Sequence, residues 1–412
     1  MVVLFMTLGI SGQKSAIVAH NLAFCMKESR AREVYLFSPD GNKNIIPLIE
    51  NAYAELAQKN TPPCIFIPLN HVDDIHHCFF EIRNEYEKLV KEDTDVDIIL
   101  NYNYGTKSMT SAMTSLALLT HRTIFFIDGS RNKEGGIIPG TERISQQTLY
   151  PIYDEMLIKR AVEYFNRNQF SYAIQELDQV CLHEQKDNYT QLFMAYEMWD
   201  RFDHQGAYDI FNTMKFPGKN EELHSENIRF LHQLLKSTNK TERYLCVLVD
   251  LINNAQRRYD DGRHDDAVAR LYRAFELIAQ VLLLSNGLDD IEDKISFEQL
   301  APKIHDRNRL NVYKDYLDGN KVLVGCGKKY QILKDIGIHS ADTWHHETQS
   351  LLTKRNNSIL AHGLTPVENQ TSKRFLDRIN SFVKTEFQQT AKKNGTNIDN
   401  LFKMSRFPQI RR

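Results

Sequence analysis

The six cysteines of this 412-residue chain, Cys25, Cys64, Cys78, Cys181, Cys246 and Cys326, include no C-x-x-C pair. Their scatter argues against a zinc site and a disulfide scaffold, and predicts reduced core thiols in a cytoplasmic protein. Long apolar runs are missing as well. The opening MVVLFMTLGI is apolar but short and lacks a basic leader, so it reads as a buried strand, not a signal peptide or membrane span. No G-x-G-x-x-G follows that strand, and no Walker lysine motif occurs, which counts against nicotinamide or flavin enzymes and P-loop NTPases. Asp40 stands where a ribose-binding acid could lie, but SPDG also reads as a turn. Neither sign of charge is in excess, with a formal net charge of -2, so bulk affinity for nucleic acid is not indicated. The local balance differs: residues 340–412 hold twelve Lys and Arg against six Asp and Glu. Such a segment either holds a polyanion or is a solvated surface with a frayed, Arg-rich tail.

The length is too great for one ordinary core, and two or three domains are expected. Over residues 1–150, short runs rich in β-branched and aromatic residues alternate with amphipathic stretches. The runs are Val2–Leu8, Val34–Ser38, Cys64–Leu69, Val96–Tyr102 and Thr123–Asp128, with helices such as Ile45–Lys59 and Ile75–Val90 between them. Continuous apolar runs suit strands buried on both faces, and strand–helix alternation implies a doubly wound, Rossmann-like parallel sheet. Residues 151–253 show no strand-like run. Two segments there superpose with a 34-residue shift that places Phe165 on Trp199 and Ala173 on Ala207, the tetratricopeptide period. Two copies are too few for a solenoid, so this part reads as a helical-hairpin connector. Residues 254–412 read as all-helical, beginning with a long amphipathic helix whose stripe is Ala267, Leu271, Phe275, Ile278 and Leu282.

In doubly wound sheets, ligands bind beyond the carboxyl ends of the strands near the switch point. Two loops have suitable chemistry. After the first strand, Gly9 and Gly12 allow close backbone approach, and Ser11 and Gln13 can hydrogen-bond a ligand. After the fourth, Gly105 precedes a helix start that favours a phosphate, with Thr106 and Lys107 adding a hydroxyl and a cation, and Asn103 just before it. His71, His76 and His77 beside Asp73 and Asp74 read as a polar helix start before a metal site.

Near the C-terminus the chain reads RNNSILAHG, Arg355 to Gly363. The pattern predicts one helix holding the motif and stopped by Gly363 and Pro366. Arg355 and His362 would then lie about 20° apart around its axis and roughly 10 Å apart along it. They would share a face without gripping one phosphate, unless two copies met across a two-fold axis. The residue types suit metal-free RNA cleavage: a guanidinium stabilises a pentavalent phosphorane, an imidazole moves protons near neutrality, and Asn356 orients either. The flanking sequence offers no tight carboxylate cluster for magnesium. An exposed helix end with a dipole-favoured histidine is the plainer alternative.

YGTKSM, Tyr104 to Met109, resembles the Gly-Thr-Lys-x-Met signature of CARF domains, the sensors of cyclic oligoadenylates in CRISPR-associated proteins. R-N-x5-H resembles the HEPN ribonuclease motif, and the DDGRHDDAVARLYRAFELIAQ helix resembles the first long helix of that fold. Together they look like the CARF–HEPN ribonucleases of type III CRISPR systems. The resemblance implies a CARF domain over residues 1–150, a connector over 151–253 and a HEPN domain over 254–412. It implies a cytoplasmic homodimer acting in antiviral defence, with one cyclic oligoadenylate bound across the paired sensors as allosteric activator. Family frequency favours the tetra- over the hexa-adenylate. The implied substrate is single-stranded RNA, cut by 2′-hydroxyl attack to leave a 2′,3′-cyclic phosphate, with no resident cofactor or metal and neither DNA nor a membrane as partner. Arg355, Asn356 and His362 map to the nuclease motif, and Gly105, Thr106, Lys107 and Met109 to the sensor motif, Met109 as a packing residue. Gly9, Ser11, Gly12 and Gln13 follow from strand order alone. Arg270, Arg273 and Glu276 read as a solvated face of the long helix or as support for the active site; His345 and His346 lie near RNA or simply pack. Two competing functions stay open. One is a non-catalytic sensor that controls a partner, although no basic recognition helix is evident. The other is a sensor that degrades its own ligand through Asn103, Thr106 and Lys107.

Overall fold

The computed structural model describes residues 1–9, 15–133, 137–217, 221–291, 293–393 and 397–410. Ser11, Gly12 and Gln13 lie outside them. The chain divides into two compact units. The first comprises residues 1–158 and 179–183, and the second 159–178 and 184–412.

The first unit contains β1 (Val2–Leu8), α1 (Ser15–Ser29), β2 (Glu33–Ser38), α2 (Ile46–Ala57), β3 (Cys64–Pro68), α3 (Ile75–Glu92), β4 (Asp97–Tyr104), α4 (Lys107–Thr120), β5 (Ile124–Asp128) and β6 (Arg143–Gln147). The strand order is β3-β2-β1-β4-β5-β6. β1 to β5 pair in parallel and β6 runs antiparallel to β5. The five apolar runs are the five parallel strands. β6, sequence RISQQ, is largely exposed and carries no apolar run, so hydrophobicity alone does not reveal it. Asp40 opens a 3₁₀ turn that leads into α2, in keeping with the turn reading. Leu4, Met6 and Leu36 pack with α1 and α2, while Val3, Phe5 and Phe37 pack with α3 and α4. Each central strand thus buries alternate residues on opposite layers, as a sheet covered on both faces requires. The segment Gln179–His183 joins this unit. Buried Asp154 accepts the amides of Cys181 at 2.9 Å and Leu182 at 2.6 Å.

The boundary between the units falls within α5 (Tyr150–Asn166). There follow α6 (Phe170–Asp178), α7 (Lys186–Asp200), α8 (His204–Thr213), α9 (Glu221–Lys236), α10 (Lys240–Asp260) and α11 (His264–Ser285). The 34-residue repeat is physical. Phe165, Trp199, Ala173 and Ala207 are all buried. The turns repeat too: Asn168 and Phe202 both have positive φ, 59° and 66°. The Gln169 amide bonds the Tyr164 carbonyl at 2.9 Å, and 34 residues on the Asp203 amide bonds Met198 at the same distance. The α10–α11 turn has the same form, with Gly262 at φ 74° and the Arg263 amide on the Arg258 carbonyl at 2.9 Å.

The predicted stripe of α11 is buried throughout. Beyond α11 the chain is helical but not purely so. Short strands β7 (Asp290–Ile291), β8 (Lys294–Ser296), β9 (Leu317–Asp318) and β10 (Lys321–Leu323) form a small sheet in the order β7-β8-β10-β9. Two or three residues per strand leave no readable periodicity. The helices around it are α12 (Phe297–Leu300), α13 (Arg307–Lys314), α14 (Cys326–Asp335), α15 (His339–Asn356), α16 (Asn369–Glu386), α17 (Gln388–Lys393) and α18 (Ile398–Met404). Residues 397–410 are docked on the rest of the unit, while Arg411 and Arg412 lie outside the described residues. Asn253 donates to the Phe402 carbonyl and Ser405, Asn227 to the Met404 and Arg406 carbonyls, and Asn166 to the Ile410 carbonyl, while Phe407 lies under the Arg257 guanidinium. No helix among the described residues is long and apolar enough to cross a membrane.

Candidate functional site

In the first unit, the sequence order reverses between β1 and β4, and both candidate loops leave from that point. Backbone packing explains the glycines first. The Gly9 amide bonds the Tyr104 carbonyl, and a side chain at Gly9 would press on the Thr106 amide at 3.2 Å. A side chain at Gly105 would meet Thr7 Oγ1 at 2.7 Å and Met109 Cβ at 3.0 Å. The Thr7 hydroxyl is itself buried with no hydrogen-bond partner among the described residues. Asn42, unremarkable in sequence, donates to the Gly9 carbonyl at 2.9 Å and so holds the residue that follows β1.

Thr106 is the N-cap of α4, accepting from the Met109 amide at 3.3 Å and donating to the Val72 carbonyl at 2.5 Å. Its hydroxyl is therefore committed within the fold. Asn103 is committed as well. Its amide brackets the β5 backbone, donating to the Ile127 carbonyl at 2.8 Å and accepting the Ile127 amide at 2.9 Å. Met109 is fully buried and packs, as expected. Lys107 is exposed on the first residue of α4. The histidine-rich start of α3 is a cap: Asp74 accepts the amides of His76 and His77 at 2.8 and 3.1 Å, which together with the His77 ring holds its carboxyl below the usual range.

In the second unit, the helix expected to run through RNNSILAH stops early. α15 ends at Asn356, and residues 357–366 form a turn knitted by its own backbone. The Ser358 amide bonds the Arg355 carbonyl at 2.9 Å, the Gly363 amide bonds Ser358 at 3.1 Å, and the Ile359 amide bonds Thr365 at 3.2 Å. The turn carries the chain back, so that the His362 amide bonds the Asn356 carbonyl at 3.1 Å. Glycine at 363 is required by this return, because a side chain there would collide with the Asn357 backbone. The turn exit is tied down where the Val367 amide meets the Asp265 carboxylate of α11 at 3.1 and 3.2 Å.

The His362 backbone is thus brought to Asn356, the neighbour of Arg355, by chain reversal and not by helical phase. The Arg355 guanidinium lies over the Tyr272 ring, 3.9 Å from its centre, and donates to Asn356 Oδ1 at 3.1 Å. Burial is the main cause that raises the Tyr272 pKa, and a hydrogen bond with Glu276 adds to it, while Arg355 opposes it. Tyr272 escaped the sequence reading because YRAFEL scans as ordinary amphipathic helix. Its one signal was seven-residue spacing from Asp265, two helical turns, which puts both on one face of α11. His362 is exposed. Arg273 is on a solvated face, paired with Glu276 at 3.3 Å, while Arg270 is half-buried against Asn254. His345 packs, stacked on Tyr330 at 4.7 Å, and burial is the main cause that lowers its pKa. Cys25, Cys78 and Cys246 are buried and Cys181 is exposed; burial pushes Cys25 and Cys246 up to about 12, which makes them inert thiols.

A Rossmann-like sheet with a GTKSM helix start, followed by a helical unit presenting an Arg–Asn pair and a returned histidine, defines the CARF–HEPN class of architecture. Residues 153–245 match the Csm6 6H domain family and residues 236–386 the Csm6 HEPN domain family. The chain belongs to the CARF–HEPN proteins of type III CRISPR systems. In fold it is similar to Enterococcus italicus Csm6 bound to cyclic hexa-2'-fluoro-hexa-dAMP, with a TM-score of 0.66 over 98% of each chain at 10% identity. A comparison with curated proteins returns no match.

Proposed function

We propose that the chain is a cyclic-oligoadenylate-activated endoribonuclease that cuts single-stranded RNA without a metal in antiviral defence. The observation that carries this reading is the return of the turn after α15, which brings the His362 backbone to Asn356, whose neighbour Arg355 has its guanidinium seated on Tyr272. The 2′-hydroxyl of the RNA attacks the adjacent phosphorus while the bond to the 5′-oxygen breaks. A 2′,3′-cyclic phosphate and a 5′-hydroxyl result. His362 takes the proton from the 2′-oxygen or delivers one to the departing 5′-oxygen. Arg355 meets the negative charge of the phosphorane, and Asn356 holds that guanidinium in direction.

A homodimer places two such turns around one strand. Ile359, Leu360 and Leu364 are 57, 53 and 89% exposed, and this apolar rim beside the motif is the surface a second copy would cover. Residues 1–150 act as the sensor, 151–253 as connector and 254–412 as nuclease, in the cytoplasm. Gly9, Gly105 and Lys107, with Ser11, Gly12 and Gln13, contact the ring. Asn103 and Thr106 shape the site through Ile127 and Val72. The ring activates because it binds one dimer arrangement more tightly than the other.

The test uses a fluorescent single-stranded RNA in EDTA, with and without cyclic tetra- and hexa-adenylate. The expected result is cleavage that needs one of the rings and is lost in Lys107→Ala at limiting ring concentration. Cleavage that ignores both rings would leave a constitutive nuclease and sink the sensor assignment.

A further inference from the structure

Three turns of like form, at Asn168, Phe202 and Gly262, open on one cavity of about 450 Å³ within the second unit. Arg258, Arg263 and Arg270 line it from the α10–α11 hairpin, Arg201 from the end of α7, and Phe170 and Tyr172 from the first turn of α6. The start of α11 has no side-chain cap. Each of these arginines has a carboxylate neighbour within the fold, yet their guanidiniums keep donors to spare. Arg258 is 8% exposed and pairs through Nη2 with Asp200, yet its buried Nε has no hydrogen-bond partner among the described residues. Arg263 pairs with Asp266, and the same carboxylate is 3.8 Å from Arg270. Arg201 pairs with Glu197 at 2.6 Å, and Asp261 completes the acidic lining. Burial first, then the Arg258 guanidinium, lowers the Arg270 pKa; Asp266 and Asp200 oppose, and Arg263 adds to the repulsion. The guanidiniums repel one another across this half-buried wall despite their carboxylate neighbours, and a bound anion would relieve that repulsion.

We propose that this cavity is a second phosphate-binding site, taking the phosphate of a nucleotide unit with its base against Tyr172 or Phe202. The chemistry is that of anion sites generally. Uncapped helix starts present free amides, arginines present paired donors, and exposed aromatic faces stack a base. The site is separate from the RNNSILAH turn and goes beyond the nuclease reading. Its connection to that turn is α11 itself: Arg270 faces the cavity, and Tyr272, about 200° further round the helix, carries Arg355. Two sources share this chemistry, a free nucleotide and a flanking nucleotide of a bound RNA strand.

The test is calorimetric titration of the full chain carrying His362→Ala, at low salt, with uridine 5′-monophosphate and separately with pentauridylate. In that background Arg270→Gln is expected to weaken binding about tenfold and Arg263→Gln several-fold, while Asp261→Asn tightens it. Binding of the mononucleotide with this dependence identifies a free-nucleotide site. The same dependence with pentauridylate alone identifies an RNA-strand contact. Arg263 and Asp261 are exposed, so their variants decide the matter even if Arg270→Gln fails to fold. Affinities for both probes unchanged within twofold across the variants, or no binding at millimolar probe, would overturn the proposal.

Discussion

Tyr272 shows how much of a site can rest on one unremarkable residue. A guanidinium over an aromatic face gains about 0.5 to 2 kcal/mol, depending on how far it is desolvated. At Arg355 that interaction also fixes direction, because the ring and Asn356 Oδ1 hold the group from two sides. Replacing Tyr272 with Leu should lower kcat about tenfold and leave KM nearly unchanged, while Tyr272→Phe keeps the ring and most of the rate. Steady-state cleavage kinetics separate the two. Equal loss in both variants would move the role from the ring to the hydroxyl and its Glu276 bond. The glycines teach a related lesson. Gly363 reads in sequence as a helix stop and instead makes room for the Asn357 backbone, while Gly105, placed before a phosphate-favouring helix start, also makes room for Thr7.

The elements differ in how plainly they are written. His224 on α9 is fully buried, with Nδ1 2.7 Å from the Tyr196 hydroxyl, and burial pushes its pKa down to about 4. A depressed histidine pKa means the unfolded chain takes up the proton first as pH falls. The contribution of His224 is therefore complete above about 6.5 and lost as pH falls towards 4, on the order of 3 kcal/mol in all. Denaturant unfolding from pH 7 to 4.5 should show a flatter stability profile for His224→Gln than for the natural chain; parallel profiles would contradict this. The five parallel strands and the 34-residue hairpins were legible because long, buried, periodic segments announce themselves in hydrophobicity. β6 and the strands of the small sheet were not, being polar, exposed or only two or three residues long. The end of α15 was missed for a different reason. Asn356, Asn357 and Ser358 favour local backbone bonding over helix continuation, and that preference overrode the apparent period of the motif. Docking of residues 397–410 was not legible because the charge there is obvious, whereas the buried Ile398, Leu401, Phe402 and Ile410 that hold the segment are spread over thirteen residues.

At the scale of the whole molecule, the sequence order of motifs carried the architecture: a sensor signature at a strand–helix junction, a helical repeat, then an Arg–His motif late in a helical region. The residues of the Arg–His motif were legible as types, while their geometry depended on a chain reversal that spacing alone does not encode. Arg355, Asn356 and His362 are proposed to cut RNA through its own 2′-hydroxyl. The direct measurement is the chemistry of the product ends after ring-activated cleavage in EDTA, for the natural chain and for His362→Ala. The account predicts 2′,3′-cyclic phosphate and 5′-hydroxyl ends from the natural chain and no product from the variant. Ends bearing 5′-phosphate and 3′-hydroxyl, or the same product from His362→Ala, would contradict it.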